Sequence, residues 1–210
     1  MNRKGVDNMD NHIFPVVIKT LKLDMPRLEI YYPQVCGLEN IYVQDKINNL
    51  ILEAIYNQIT QQGYYDNPKT QITGTWELKN NDKGILSLTL INYAFSGGAH
   101  GLTIVKGLTF DIQTGRLYEL KDLFKLGADY VKVLSEEVEE QIEERNIQTL
   151  GEFKSIKPDQ DFYIADLSLT IFFQEYEIAP YSYGILYFPI SIYEIEDIID
   201  ENGPLGRMIS

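Results

Sequence analysis

A chain of 210 residues with a formal net charge of −13 presents a surface that phosphate backbones and anionic membranes repel, which argues against nucleic-acid binding and leaves solubility or a basic partner as its use. Its 44% apolar and 12% aromatic content excludes a disordered chain and supports one large or two small domains with a real core. The single cysteine, Cys36, excludes an intrachain disulfide and a thiolate metal cluster.

Residues 1–12 are polar and expected to be disordered. No apolar run follows their basic residues, as a signal peptide would need, and no stretch approaches the ~18 apolar residues of a membrane span. The sequence as given therefore reads as cytoplasmic. Ile13 to Leu23 predicts a strand, and Arg27 to Pro33 a second one closed by its proline, the two joined as a hairpin through Asp24-Met25-Pro26.

Val43, Ile47, Leu50, Ile51, Ala54, Ile55 and Ile59 share one face of a helix over 43–59, with Asp45, Asn48, Asn49, Glu53 and Asn57 opposite. The period then switches to two. Thr70 to Lys79 and Ile85 to Tyr93 read as strands around the turn Asn80 to Gly84. After the loop Ser96-Gly97-Gly98-Ala99-His100-Gly101, strand character resumes from Leu102 to Asp111, turns at Gln113-Thr114-Gly115 and returns over Arg116 to Leu120.

Lys121 to Phe124 reads as a helical turn. A second helix spans Asp129 to Arg145, with an inward stripe of Tyr130, Val131, Leu134, Val138, Gln141 and Ile142 and six glutamates between Glu136 and Glu144 facing water. Phe162 to Ile164, Ser168 to Phe173 and Gly184 to Ile192 read as further strands, Glu194 to Ile199 as a short closing helix and 201–210 as a loose tail. Strand runs joined by short turns, with two lone helices and no βαβ alternation, predict an α+β fold: a mostly antiparallel sheet with two main helices packed against it.

Two loops stand out chemically. Ser96, Gly97, Gly98, His100 and Gly101 combine backbone freedom with a hydroxyl and an imidazole. A wide hairpin turn is one reading of the loop, and a hydrolase using Ser96 and His100 is an alternative, although no orienting carboxylate or nucleophile elbow is visible. The loop lacks the Lys-Ser/Thr ending of a phosphate loop, and no cofactor is expected. The second loop, Tyr176 to Gly184, packs Tyr176, Pro180, Tyr181 and Tyr183 between strands, rigid groups suited to protein contact or to folding back onto the core. No metal site is expected, since a helix spreads the glutamates around its outer face. Asp159, Asp161, Asp166, Glu175 and Glu177 read as surface charges rather than an acid–base pair.

Three stretches together carry a resemblance: Phe95 to Gly101; Leu108 to Gly115 with Leu120 to Phe124; and Asp161-Phe162-Tyr163 with Tyr176 to Tyr181. In that order they resemble the C-terminal domain of RsiV-type anti-sigma factors, a domain also found beside the catalytic module of PdaC-type peptidoglycan deacetylases. The part before it looks like the companion domain of both, so the resemblance covers nearly all of residues 13–198. It divides the chain into a PdaC-like domain over 13–84 and an RsiV-like domain over 85–200, packed as one compact unit.

The resemblance implies a module that lies outside the cell in those relatives, and one similar to a receptor for lysozyme. Lysozymes are commonly basic, in keeping with the charge of −13. The transmembrane, sigma-binding and deacetylase parts of the relatives have no counterpart in this sequence, and its two histidines, His12 and His100, lie too far apart in the chain for a deacetylase metal site. The expected function is thus a non-catalytic binding module for a basic protein such as lysozyme or for a peptidoglycan fragment. A cytoplasmic structural or interaction protein is a further alternative.

Overall fold

The computed structural model describes residues 15–209, so the expectations for residues 1–12, including His12, lie outside the described residues. Five strands form one sheet in chain order: β1 (Val17–Met25), β2 (Leu28–Cys36), β3 (Gln71–Asp82), β4 (Ile85–Phe95) and β5 (Leu102–Asp111). All neighbours are antiparallel except β2 and β3, which run parallel over Leu28–Ile30 against Ile72–Gly74 because helix α1 (Ile41–Gln61) joins them as a crossover. A second antiparallel sheet holds β6 (Phe162–Ala165), β7 (Ser168–Phe173) and β8 (Leu186–Ser191). The fold is α+β, with α1 and α2 (Tyr130–Glu144) as its two main helices. No helix among the described residues is long and apolar enough to cross a membrane.

Helix α1 starts where the Asn40 side chain accepts from the Tyr42 and Val43 amides. Its isoleucines recur every fourth residue, so Ile47, Ile51, Ile55 and Ile59 form one buried row against Leu28, Ile30, Ile72, Leu86, Leu88 and Leu90. Each such buried side chain contributes about 2 kcal/mol. Helix α2, capped by Asp129, lays Leu134, Val138 and Ile142 onto Leu169, Ile171, Phe188 and Ile190 in a second core.

The two sheets meet at β4 and β5. Leu86, Leu88 and Leu90 belong to the α1 core, so the alternating Ser87 and Thr89 point to the other face. There the Ser87 hydroxyl accepts from the Ile164 amide at 3.0 Å and pairs with Thr109 at 2.8 Å. Gly107 lies opposite Thr89, and a Cβ at that position would overlap the Phe162 carbonyl oxygen. Glycine is what lets β6 cross so near.

Several expectations are corrected. β2 does not stop at Pro33 but runs to Cys36. Beyond Ile30 it has left β3, so the missing proline N–H falls where only β1 is paired, and the Asn48 carboxamide binds both Val35 N (2.8 Å) and Val35 O (2.9 Å) in place of a strand. Asn48 is thus a structural clamp and not simply part of a solvated face. Arg116 to Leu120 forms no strand, only the single bridge Phe110–Leu117, and the closing helix is a 3-10 turn over Ile192–Ile195.

The tail is not loose through residue 209. Pro204–Ile209 forms a short helix, α3, that buries Leu205 and Met208. Proline suits a first helical position, and Gly206 is required because a Cβ there would overlap the Glu201 carbonyl. Arg207 ties this helix to Asp111 and Tyr118, and Lys83 donates to the Met208 carbonyl at 3.0 Å.

Candidate functional site

The loop after β4 and the loop after β7 meet at one end of the larger sheet. The Ser96 hydroxyl pairs with Thr70 at 2.8 Å, and its carbonyl accepts from Asn67, which pins the start of the first loop. Gly97 and Gly98 then take φ of +89° and +118°, conformations that strain any residue with a Cβ. At Gly101 a Cβ would overlap the Tyr93 ring, and the Gly101 amide instead donates to the Tyr93 hydroxyl at 3.2 Å. This backbone path delivers an exposed His100.

The second loop is fastened to the outer edge of β5. Gln174 binds Val105 through both amide atoms, and Glu175 accepts from the Thr103 amide at 3.0 Å. Glu177 turns back to accept from the Gln174 amide at 2.7 Å and forms an ion pair with Lys157 at 2.6 Å. Between these anchors Tyr176 sits at φ +64°, an uncommon conformation for a tyrosine. Pro180 leads into a 3-10 turn over Tyr181–Tyr183, and Gly184 closes it at φ +65°.

The result is a stack of three rings. His100 lies 4.0 Å from Tyr181 between centroids at 21°, Tyr176 lies 5.6 Å from Tyr181 at 27°, and the Tyr176 hydroxyl is 3.3 Å from His100 Nε2. His100 Nδ1 faces the Gly101 carbonyl at 2.9 Å, which places the proton of the neutral ring there and leaves Nε2 to accept from Tyr176. Partial burial, and then the negative charge of Glu175, push the Tyr181 hydroxyl up from its ordinary 10.

The Ser96–His100 pair that the hydrolase alternative needs is not formed in this structure. Ser96 is engaged with Thr70, and the hydrogen bonds of the His100 ring go to Gly101 and Tyr176, neither of which is a carboxylate or Ser96. Base and nucleophile are not aligned.

Of the sequence-selected residues, His100, Tyr176 and Tyr181 come together; Ser96, Gly97, Gly98, Gly101 and Pro180 shape the two loops. Tyr183 points elsewhere, accepting from the Gln148 amide at 3.0 Å and so pegging the segment after α2. Tyr93, Leu102, Gln174 and Glu175 complete the surface and were missed. Tyr93 occupies an outward position of an alternating strand beside the glycines, a legible signal. Glu175 looks like any surface charge until β5 is placed beside it.

Residues 21–103 match the family described as Deacetylase PdaC, and residues 121–193 match the family described as Protein of unknown function (DUF3298). His100 thus falls in the first match, and Tyr176 and Tyr181 in the second. The chain is 28% identical over 200 residues to Anti-sigma-V factor RsiV of Bacillus subtilis (strain 168), an alignment covering 84% of this chain and 66% of that protein, so just under two thirds of the relative's length is spanned. Two solved structures share the fold. A DUF3298-family member from Bacteroides fragilis NCTC 9343 superposes with a TM-score of 0.70 at 15% identity, covering 92% of this chain and 97% of its own. A DUF3298-family protein from Pseudomonas aeruginosa PAO1 gives 0.72 at 14% identity, covering 90% and 96%.

Proposed function

Because this chain is a PdaC-like segment followed by an RsiV-like DUF3298 segment, we propose that it is a non-catalytic recognition module that binds a protein partner through the ring stack of His100, Tyr176 and Tyr181. The observation that carries the reading is the assembly of an exposed aromatic surface from two loops 76 residues apart in sequence, each held by its own glycines and hydrogen bonds. A structural turn has no need of such a construction. Rigid rings with polar tips contribute contact area at small entropic cost, as protein-binding surfaces require. The relation to an anti-sigma factor supports a regulatory role, and the net charge of −13 favours a basic partner.

Lysozyme is the first partner to test, and a peptidoglycan fragment the second. Titration calorimetry with a basic lysozyme is expected to give a micromolar or tighter complex, weakened at least tenfold by Tyr181→Ala. Absence of a complex at micromolar concentration removes lysozyme. A complex that survives both Tyr181→Ala and His100→Ala unchanged removes this surface.

A further inference from the structure

β5 is the edge strand of the larger sheet, and its outward backbone groups belong to every second residue. Thr103 N is taken by Glu175, Val105 N and O by the Gln174 carboxamide, Thr109 O by the Tyr118 amide and Asp111 N by the Arg116 carbonyl. That series fixes the phase, so the N–H and C=O of Gly107 also point outward. Neither has a hydrogen-bond partner among the described residues.

A cavity of about 220 Å³ opens at this gap, lined by Gly107, Tyr118 and Phe162 among others. It shares Lys106, Leu108 and Leu117 with a neighbouring compartment of about 390 Å³, whose wall on α1 includes Leu50 and Ala54. Lys106 is paired with Asp161 at 2.7 Å beside the cavity.

The molecule itself shows what fits an open strand edge. Three times one carboxamide satisfies both backbone groups of a single residue, twice on a strand, Gln174 at Val105 and Asn48 at Val35, and once just before β1, Asn81 at Val16, with every distance between 2.8 and 3.0 Å. A planar amide offers one acceptor and one donor at the spacing of an edge residue's N–H and C=O. A carboxylate does not, because its second oxygen would face the backbone carbonyl.

We propose that Gly107 is a fourth such position, open to an asparagine or glutamine side chain of a partner polypeptide, whose apolar neighbour would occupy the compartment lined by Leu50, Ala54 and Leu117. The second compartment sets Leu50, Ala54 and Leu117 beside Glu53, Asn57 and Gln61, and two joined compartments suit consecutive side chains on one backbone better than a single small polar molecule. The site is separate from the ring stack and does not depend on it.

The test is a nitrogen-15 NMR titration of the full chain with acetyl-Leu-Gln N-methylamide and, separately, its Glu counterpart. The Gln peptide is expected to give saturable shifts at the Gly107, Lys106 and Leu117 amides at millimolar concentration, with at least fivefold weaker binding by the Glu peptide. No saturable shift at Gly107, or an equal response to the two peptides, overturns the proposal. Gln174→Ala vacates the clamp at Val105, and in that variant the same Gln peptide is expected to add a saturable shift at Val105. A folded Gln174→Ala protein with a silent Val105 overturns the recognition chemistry. If that variant does not fold, the wild-type titration alone decides.

Discussion

Arg207 Nη2 lies 2.9 Å from Asp111 Oδ2, and through that contact the last helix of the chain is fastened to the end of β5. The other Asp111 oxygen accepts from Gln113 N, Thr114 N and the Thr114 hydroxyl, so a single carboxylate holds both the turn and the tail. Both side chains are largely buried, at 23% and 11% exposure. Arg207→Ala is expected to cost about 2 kcal/mol and Asp111→Ala about 3, since the latter also strips the turn of its acceptor. Urea unfolding curves of the two variants measure both values and their order.

The same carboxylate makes stability depend on pH. Burial by itself would raise Asp111, but the hydrogen bonds from Thr114 and the Arg207 guanidinium outweigh it and hold the carboxyl below its ordinary 3.8. A group with a depressed folded pKa contributes stability that is present above its unfolded value and lost as pH falls through the folded one. The unfolding free energies of the wild type and of Asp111→Asn are therefore expected to differ most above pH ~4 and to converge as pH falls below 3.8. A gap that stays constant down to pH ~2 would contradict this account of the shift.

Legibility from sequence followed the kind of signal involved. The row Ile47, Ile51, Ile55 and Ile59 announced α1, because a periodic apolar face is a property of the segment itself. The same periodicity placed Asn48 on the polar side, which is correct in direction and silent about the strand edge it closes. Hydrogen-bond demand at Val35 arises only once β2 and β3 diverge after Ile30, a tertiary event. The tail misled for a related reason. Residues 201–210 read as a loose tail, yet Pro204 begins a helix and Gly206 clears the Glu201 carbonyl. His100 and Tyr181 could each be picked out as unusual, but their contact follows from Gln174 and Glu175 docking on β5, which no local pattern encodes.

Glycine at 107 is expected to be obligatory. Gly107→Ala drives a methyl group into the Phe162 carbonyl, a backbone atom that cannot rotate away, and is expected to destabilise by about 3 kcal/mol. Gly151 has open space around its Cβ direction, so Gly151→Ala is expected to stay within ~0.5 kcal/mol of wild type. Thermal unfolding of the pair provides an internal control.

Removing the Asn48 clamp is expected to act locally before it acts globally. Asn48→Ala exposes both backbone groups of Val35, which is 0% exposed, at a cost of about 2 kcal/mol. Because β1 still pairs with β2 on the other side, the strand remains in place. Hydrogen exchange is expected to quicken at Val35 far more than at Ile30, whose amide faces its partner Leu23 on β1. Equal acceleration at both amides would mean that the clamp holds the whole sheet and not one edge.

The two tyrosines of the 3-10 turn, Tyr181 and Tyr183, are expected to separate cleanly. Tyr181 stacks on His100 at 4.0 Å, and both rings lie at the surface, so each alanine substitution removes little buried area. A double-mutant cycle on His100→Ala and Tyr181→Ala, read by urea unfolding, is expected to give a coupling of about 1 kcal/mol, the range of stacked aromatic pairs. Tyr183 instead accepts from the Gln148 amide at 3.0 Å and has no place in the stack. Tyr183→Phe keeps the ring and removes only that acceptor. It is expected to speed hydrogen exchange at Gln148 while leaving the coupling between His100 and Tyr181 unchanged. If Tyr183→Phe abolishes the coupling between His100 and Tyr181, the two loops form one cooperative unit and the separate peg assigned to Tyr183 is wrong. If the coupling is near zero in the wild type, the ring contact is incidental, and the recognition surface must be sought around Tyr93 and Leu102 instead.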